Sequence, residues 1–168
     1  LDRMALEAKT VDDVVKLVSH PERGYAYHHV ITSLKDRRAV ALEAAPWNLE
    51  TKEINGLYWH TNHLIFPTMK ELPQFEKYMK ISSLPRYKSL TKSLGGKKTA
   101  TEEEIMAALS CHDGRPWSVC RHPEGDAEGA TLGTIVFTSP GPKNAPGNYR
   151  LKLYNNNPCR QNVTVYGV

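Results

Sequence analysis

At Tyr25 the apolar pattern of this chain changes period, and the change decides what its first third can become. Before that point Val11, Val14, Val15 and Val18 recur at helical spacing. They follow Thr10-Val11-Asp12-Asp13, where a hydroxyl and an acid three residues on form a capping-box start. Pro21 and Gly24 end that helix, and Leu1 to Ala8 reads as the tail of an earlier one. From Tyr25 onward, residues 25–34 and 39–45 are strand-like runs joined by the polar turn Lys35-Asp36-Arg37-Arg38. The second run, AVALEAAP (39–46), is small and apolar, as expected of a strand covered on both faces.

A third short strand is expected from Leu57 to His60, leading into Thr61-Asn62-His63. Pro67 to Pro73 reads as loop, followed by helical stretches over 73–82 and 84–94 that Gly95-Gly96 ends. Thr101-Glu102-Glu103-Glu104 is a second capping box, opening a helix through Ile105, Met106 and Leu109. After the loop CHDGRPWSVCRHPEGD (111–126), three strands are expected over 131–138, 149–154 and 162–167. Helices segregated from mostly antiparallel strands predict an α+β layered fold and not an alternating parallel sheet. No internal repeat or low-complexity segment is visible.

The 168 residues suffice for one domain with a real core, and 40% apolar with 24% charged residues is ordinary for a globular chain. No run approaches the roughly 20 apolar residues of a membrane helix, so no membrane partner is expected. The net charge of +4 is scattered, with short clusters only at Lys35 to Arg38 and Lys97-Lys98. Without a basic stripe interleaved with aromatics, nucleic acid is not an expected partner, whereas an acidic small substrate or a coenzyme phosphate fits. Cys111, Cys120 and Cys159 are an odd number without framework spacing, which argues against a disulfide scaffold. The compartment is not fixed, with the cytoplasm slightly favoured; the Asn162-Val163-Thr164 tripeptide arises easily by chance.

Chemistry-bearing residues gather in two places. His60 and His63 stand three apart, and Cys111, His112, Cys120 and His122 share the polar loop, spacings that zinc ligands use on turns. No pair is a tight C-x-x-C, however, and side chains at a strand end alternate direction, so neither a metal nor another cofactor is expected. Cys120 lies beside Arg121 and two residues from His122, yet adjacency does not deliver a base within reach of a thiol. A buried structural cysteine is the simpler reading. Asn62, fixed between apolar runs, suits an oxyanion-hole donor because its N–H cannot ionise. The alternative is a turn Asn bonding its own backbone. Arg121 can clamp a carboxylate or neutralise a developing charge, against the alternative of a surface ion pair.

Taken together, WHTNHLIF (59–66), HDGRPWSVCRHP (112–123) and GATLGTIVF (129–137) resemble one family. It is the acyl-coenzyme A:6-aminopenicillanate (isopenicillin N) acyltransferase-like family of N-terminal-nucleophile hydrolases. That family reads His-Thr-Asn-His-Phe, then a His-Asp-Gly…Ser-Ile-Cys-Arg-His-Pro block, then a strand. Leu64 and Val119 are mild departures, and ALEAKTVDDVVKLV (5–18) looks like the family's helix pair. His28-His29 stands where the family often has His-Asn.

The resemblance implies an αββα sandwich and an acyl-enzyme on an N-terminal Cys exposed by self-cleavage of a precursor. Carried over by motif, Asn62 becomes the oxyanion donor and Arg121 the charge beside it, with Ser118 and His60 as substrate contacts. The family's nucleophile lies upstream of the helix pair, and Leu1 carries no nucleophilic side chain. Residues 1–168 are therefore expected to be a single-domain fragment, the C-terminal part of the catalytic unit. Its expected partners are the N-terminal segment of the same precursor, bearing the Cys, and a small-molecule amide or acyl-thioester substrate. The alternative is a non-catalytic binding or structural module with the same fold.

Overall fold

In the computed structural model, which describes residues 7–19, 23–139 and 149–167, Thr10 caps a helix as its spacing predicts. Its hydroxyl accepts from the Asp13 amide at 3.1 Å, and the Asp13 carboxylate accepts from the Thr10 amide at 3.0 Å. The first amide of this helix, α1 (Val11–Val18), donates to the Asp36 carboxylate at 2.8 Å, so the hairpin turn that follows satisfies a further orphan donor. The expected helix tail at Leu1 to Ala8 falls largely outside the described residues.

The chain forms two compact units, Leu1–Glu76 and Lys77–Val168. In the first, β1 (Tyr27–Ser33), β2 (Arg38–Ala45) and β3 (Asn48–Glu53) make an antiparallel sheet in the order β1-β2-β3. Strand β2 is covered on both faces, as its small apolar sequence implies. Leu42 and Ala44 pack against Val14, Val15 and Val18 of α1. Ala41 and Ala45, on the opposite face, pack with Leu64, Phe66 and Met69.

The third strand is not where the sequence places it. Leu57 to His60 has no strand structure, and β3 forms earlier, in the polar segment Asn48–Glu53. Pro46 and Trp47 make a two-residue turn between Ala45 and Asn48, with Trp47 at φ 65° in the left-handed region. Once that turn forms, backbone pairing with β2 carries a strand whose side chains face water. The apolar run at 57–60 contributes packing instead, with Tyr58 against the Leu64–Phe66–Met69 cluster.

The second unit begins one residue into a helical stretch that lacks the break expected near residue 83. Helix α2 (Glu76–Tyr78) runs through a π-helical segment, Met79–Ser83, into α3 (Leu84–Leu94). Pro85 lacks the amide that would close a regular turn, and the wide turn just before it accommodates that loss. Helix α4 (Glu102–Leu109) starts at the expected Thr101 capping box, with the Thr101 hydroxyl accepting from the Glu104 amide at 3.2 Å. A second antiparallel sheet follows in the order β4 (Gly133–Thr138), β5 (Arg150–Asn155), β6 (Val163–Gly167), matching the three expected strands within two residues. Lys152 of β5 pairs with Glu102 of α4 at 2.6 Å. The architecture is mixed α+β with two small antiparallel sheets. Among the described residues, no helix is long and apolar enough to cross a membrane.

Candidate active site

In the first unit the segment HTNHLIF hangs from a single buried carboxylate. Glu43, in the middle of β2, has no solvent exposure. Its Oε1 accepts from His60 Nε2 and from the Ile65 amide, each at 2.7 Å, and its Oε2 accepts from the Phe66 amide at 3.0 Å. A carboxylate removed from water is tolerable only when so many donors converge on it. Burial alone would raise the Glu43 pKa, but the His60 and backbone bonds outweigh it and hold the carboxyl below its usual value.

His60 is committed on every side. Its Nδ1 lies 2.5 Å from the Thr61 carbonyl oxygen and its Nε2 2.7 Å from Glu43 Oε1, so both ring nitrogens are engaged. The ring stacks on His28 with centroids 3.6 Å apart and planes 5° from parallel. Burial, and then the neighbouring His60, push the His28 pKa down to about 4, while Glu43 opposes the shift. His28 Nε2 lies 2.9 Å from the Tyr58 hydroxyl. His63 is buried, with Nδ1 3.1 Å from the Thr61 hydroxyl, so His60 and His63 serve the loop and do not form a ligand pair. Asn62, between them, is an exposed residue.

Arg121 lies in the second unit. Its backbone is pinned from two directions: the amide donates to the Thr131 hydroxyl at 3.0 Å, and the carbonyl accepts from Asn157 Nδ2 at 2.6 Å and the Thr131 amide at 2.9 Å. Its guanidinium lies 4.8 Å over the Trp117 ring and donates from Nη2 to the Ser82 hydroxyl at 2.6 Å. Ser82 is buried in the π-helical segment, so that wide turn positions the acceptor. Arg121 Nε is buried without a hydrogen-bond partner, and no carboxylate pairs with the residue among the described residues. A second guanidinium is close: burial, then Arg121, hold the Arg86 pKa below its usual value. The surface ion pair considered as the plain reading of Arg121 is therefore absent among the described residues.

Ser118 is buried, and its hydroxyl donates to the Cys120 carbonyl at 2.7 Å, bracing the loop that carries Arg121. Cys120 is fully buried, consistent with the structural reading of that thiol. The loop brings His112, Cys120 and His122 together and adds Cys159, which spacing along the chain did not single out. Cys111 stays apart, accepting from the Ser89 hydroxyl at 3.3 Å. Burial, then the sulfur of Cys120, push the Cys159 thiol pKa up, and burial, then Arg115 and His122, hold His112 down.

Sequence reasoning missed Glu43 and Asn157. The signal for Glu43 was present, since a lone carboxylate inside an apolar strand must find partners. Nothing local marked Asn157, which acts on Arg121 from 36 residues away. A family model described as acyl-coenzyme A:6-aminopenicillanic acid acyl-transferase matches residues 1–144. No curated protein gives a significant match.

Proposed function

Because the chain belongs to the acyl-coenzyme A:6-aminopenicillanic acid acyl-transferase family, we propose that it forms part of an acyltransferase or amide hydrolase working through an acyl-enzyme. The nucleophile in this reading is an N-terminal Cys on an upstream segment of the same precursor, and the assembled unit is an αββα sandwich. The thiolate attacks the acyl carbon of an amide or thioester, and the free α-amine of the same residue takes the thiol proton. The carbonyl electrons move to oxygen, and the Asn62 carboxamide N–H stabilises that oxyanion. Collapse expels the amine or thiol leaving group, which takes the proton back. Water or an acceptor amine then attacks the thioester, giving a proton to the α-amine, and the thiolate leaves as the acid or new amide forms.

The observation that supports this most directly is the guanidinium of Arg121, half-buried on Trp117 with an orphaned Nε and no carboxylate counterpart among the described residues. Such a charge is suited to an anionic substrate group or to developing negative charge. With their polar atoms already engaged, His60 and Ser118 are positioning residues, His60 for the Asn62 segment and Ser118 for the Arg121 loop. Ile135, Phe137 and Tyr166, exposed on one face of the second sheet, offer apolar surface for the upstream segment to cover.

Asn62→Ala in the full-length protein tests the reading. Loss of an oxyanion donor is expected to lower kcat by about a hundredfold to a thousandfold on amide or thioester substrates, with the melting temperature nearly unchanged. Mass spectrometry of active material is expected to find a polypeptide beginning with Cys. Unchanged turnover in the variant, or active protein without such a terminus, rules the mechanism out.

A further inference from the structure

His112, Cys120, His122 and Cys159 each offer one ligand atom, and all four atoms lie within 4.8 Å of one another. Three of the six separations centre on His122 Nε2: 3.1 Å to His112 Nε2, 3.7 Å to Cys120 Sγ and 3.4 Å to Cys159 Sγ. Hydrogen bonding does not account for this crowding. One imidazole nitrogen has either one proton or one lone pair, so His122 Nε2 can make one good bond, yet three groups converge on it.

The geometry points to a tetrahedral Cys2His2 site for a divalent zinc-class ion, held by His112, Cys120, His122 and Cys159. With Zn–N near 2.0–2.1 Å and Zn–S near 2.3 Å, tetrahedral angles place nitrogens about 3.4 Å apart and sulfur about 3.6 Å from nitrogen. Those three separations differ from the tetrahedral values by a few tenths of an ångström, and the other three, all within 4.8 Å, are short enough for side-chain rotation to close the set on an ion. Two thiolates and two imidazoles around a doubly charged cation give zero net charge, which suits a site where Cys120 is fully buried. Soft sulfur with imidazole in this geometry favours zinc over magnesium or calcium. Binding releases the two thiol protons to solvent as the Zn–S bonds form.

The surroundings carry the supporting contacts expected of such a centre. Asn157 Nδ2 lies 3.6 Å from Cys120 Sγ, placed to donate to it, while also holding the Arg121 carbonyl. Cys159 sits on the short 3-10 turn Pro158–Arg160, between β5 and β6. The ion therefore ties the loop before β4 to the connection between the last two strands. All four positions are filled by protein, so the site is closed and structural, not a source of activated water. Cys120 and His122 flank Arg121, and fixing both restricts the backbone that presents the guanidinium.

The test uses the full-length protein with Zn2+ and Co2+ as probes. Freshly purified protein is expected to contain one zinc per chain. Replacement by Co2+ is expected to give intense tetrahedral d–d absorption with thiolate-to-metal charge transfer. Cys159→Ser and His112→Gln are expected to weaken Co2+ binding by more than about a hundredfold, beyond the range for loss of a supporting residue. Cys111→Ser is expected to leave the spectrum unchanged. A weak octahedral Co2+ spectrum, or a Cys120–Cys159 disulfide in fresh protein, overturns the site. Because the wild-type spectrum decides, the test holds even where a variant fails to fold, and it is independent of turnover and of the acyl-enzyme reading.

Discussion

Glu43 shows how far a single buried charge can organise a segment. Its three donors fix His60, Ile65 and Phe66, and thereby the ends of the stretch that presents Asn62. Asn62 stood out in the sequence because an amide sits between apolar runs, and Arg121 because it stands between Cys120 and His122 ahead of a strand. Glu43 interrupts such a run as well, but its partners lie 17 to 23 residues away and no local pattern names them. The same distance effect hid Cys159, which lies 37 residues from His122. The His28–His60–Glu43 stack also sets a pH response. His28 titrates near 4 when folded against an ordinary value of 6.5, so the unfolded chain binds its proton first as the solution is acidified. Its contribution is fully present above pH 6.5 and drains away toward pH 4. The lowered carboxyl of Glu43 adds a loss at still lower pH. Melting temperature is expected to fall across that window, and His28→Asn is expected to reduce the stability lost across it by about 1–2 kcal/mol after allowance for solvent screening. Parallel pH profiles for the two proteins contradict this account.

At the scale of elements, the helix starts were the most legible part of the chain. A capping box is a local device, complete within four residues, and both Thr10 and Thr101 form theirs as the sequence predicts. Thr101→Ala removes one of the two reciprocal bonds and is expected to cost about 1 kcal/mol in denaturant unfolding. Thr101→Ser is expected to recover most of it, and a full loss in both variants excludes the hydroxyl as the cause. Strand β3 was illegible for the opposite reason. Its residues are polar, its side chains are mostly exposed, and the turn that creates it places Trp47 in a conformation that favours glycine. The π-helical segment lay between these cases: Pro85 signalled a disturbance, but the chain widens a turn there instead of breaking the helix.

Considered whole, each sheet of the described residues ends in two outer strands, and the last strands of the two sheets, β3 and β6, are guarded differently. Strand β3 carries Glu50, Lys52 and Glu53, charges that discourage another strand from docking. Strand β6 is Val-Thr-Val-Tyr-Gly, exposed along its length, without a charge, and hydrogen-bonded only to β5 among the described strands. The mixed α+β class was readable from the order of periodic segments, because each segment's period reports its own partner face. Which edges stay open was not, because edge status depends on pairings made by other segments. Light scattering of the chain expressed alone is expected to rise with concentration, and Val165→Lys is expected to suppress the rise; identical curves would show that this edge is inert. The practical corollary concerns handling at the bench: dilute stocks should stay clear on storage, concentrated ones should haze, and one lysine on the last strand should be enough to keep them limpid.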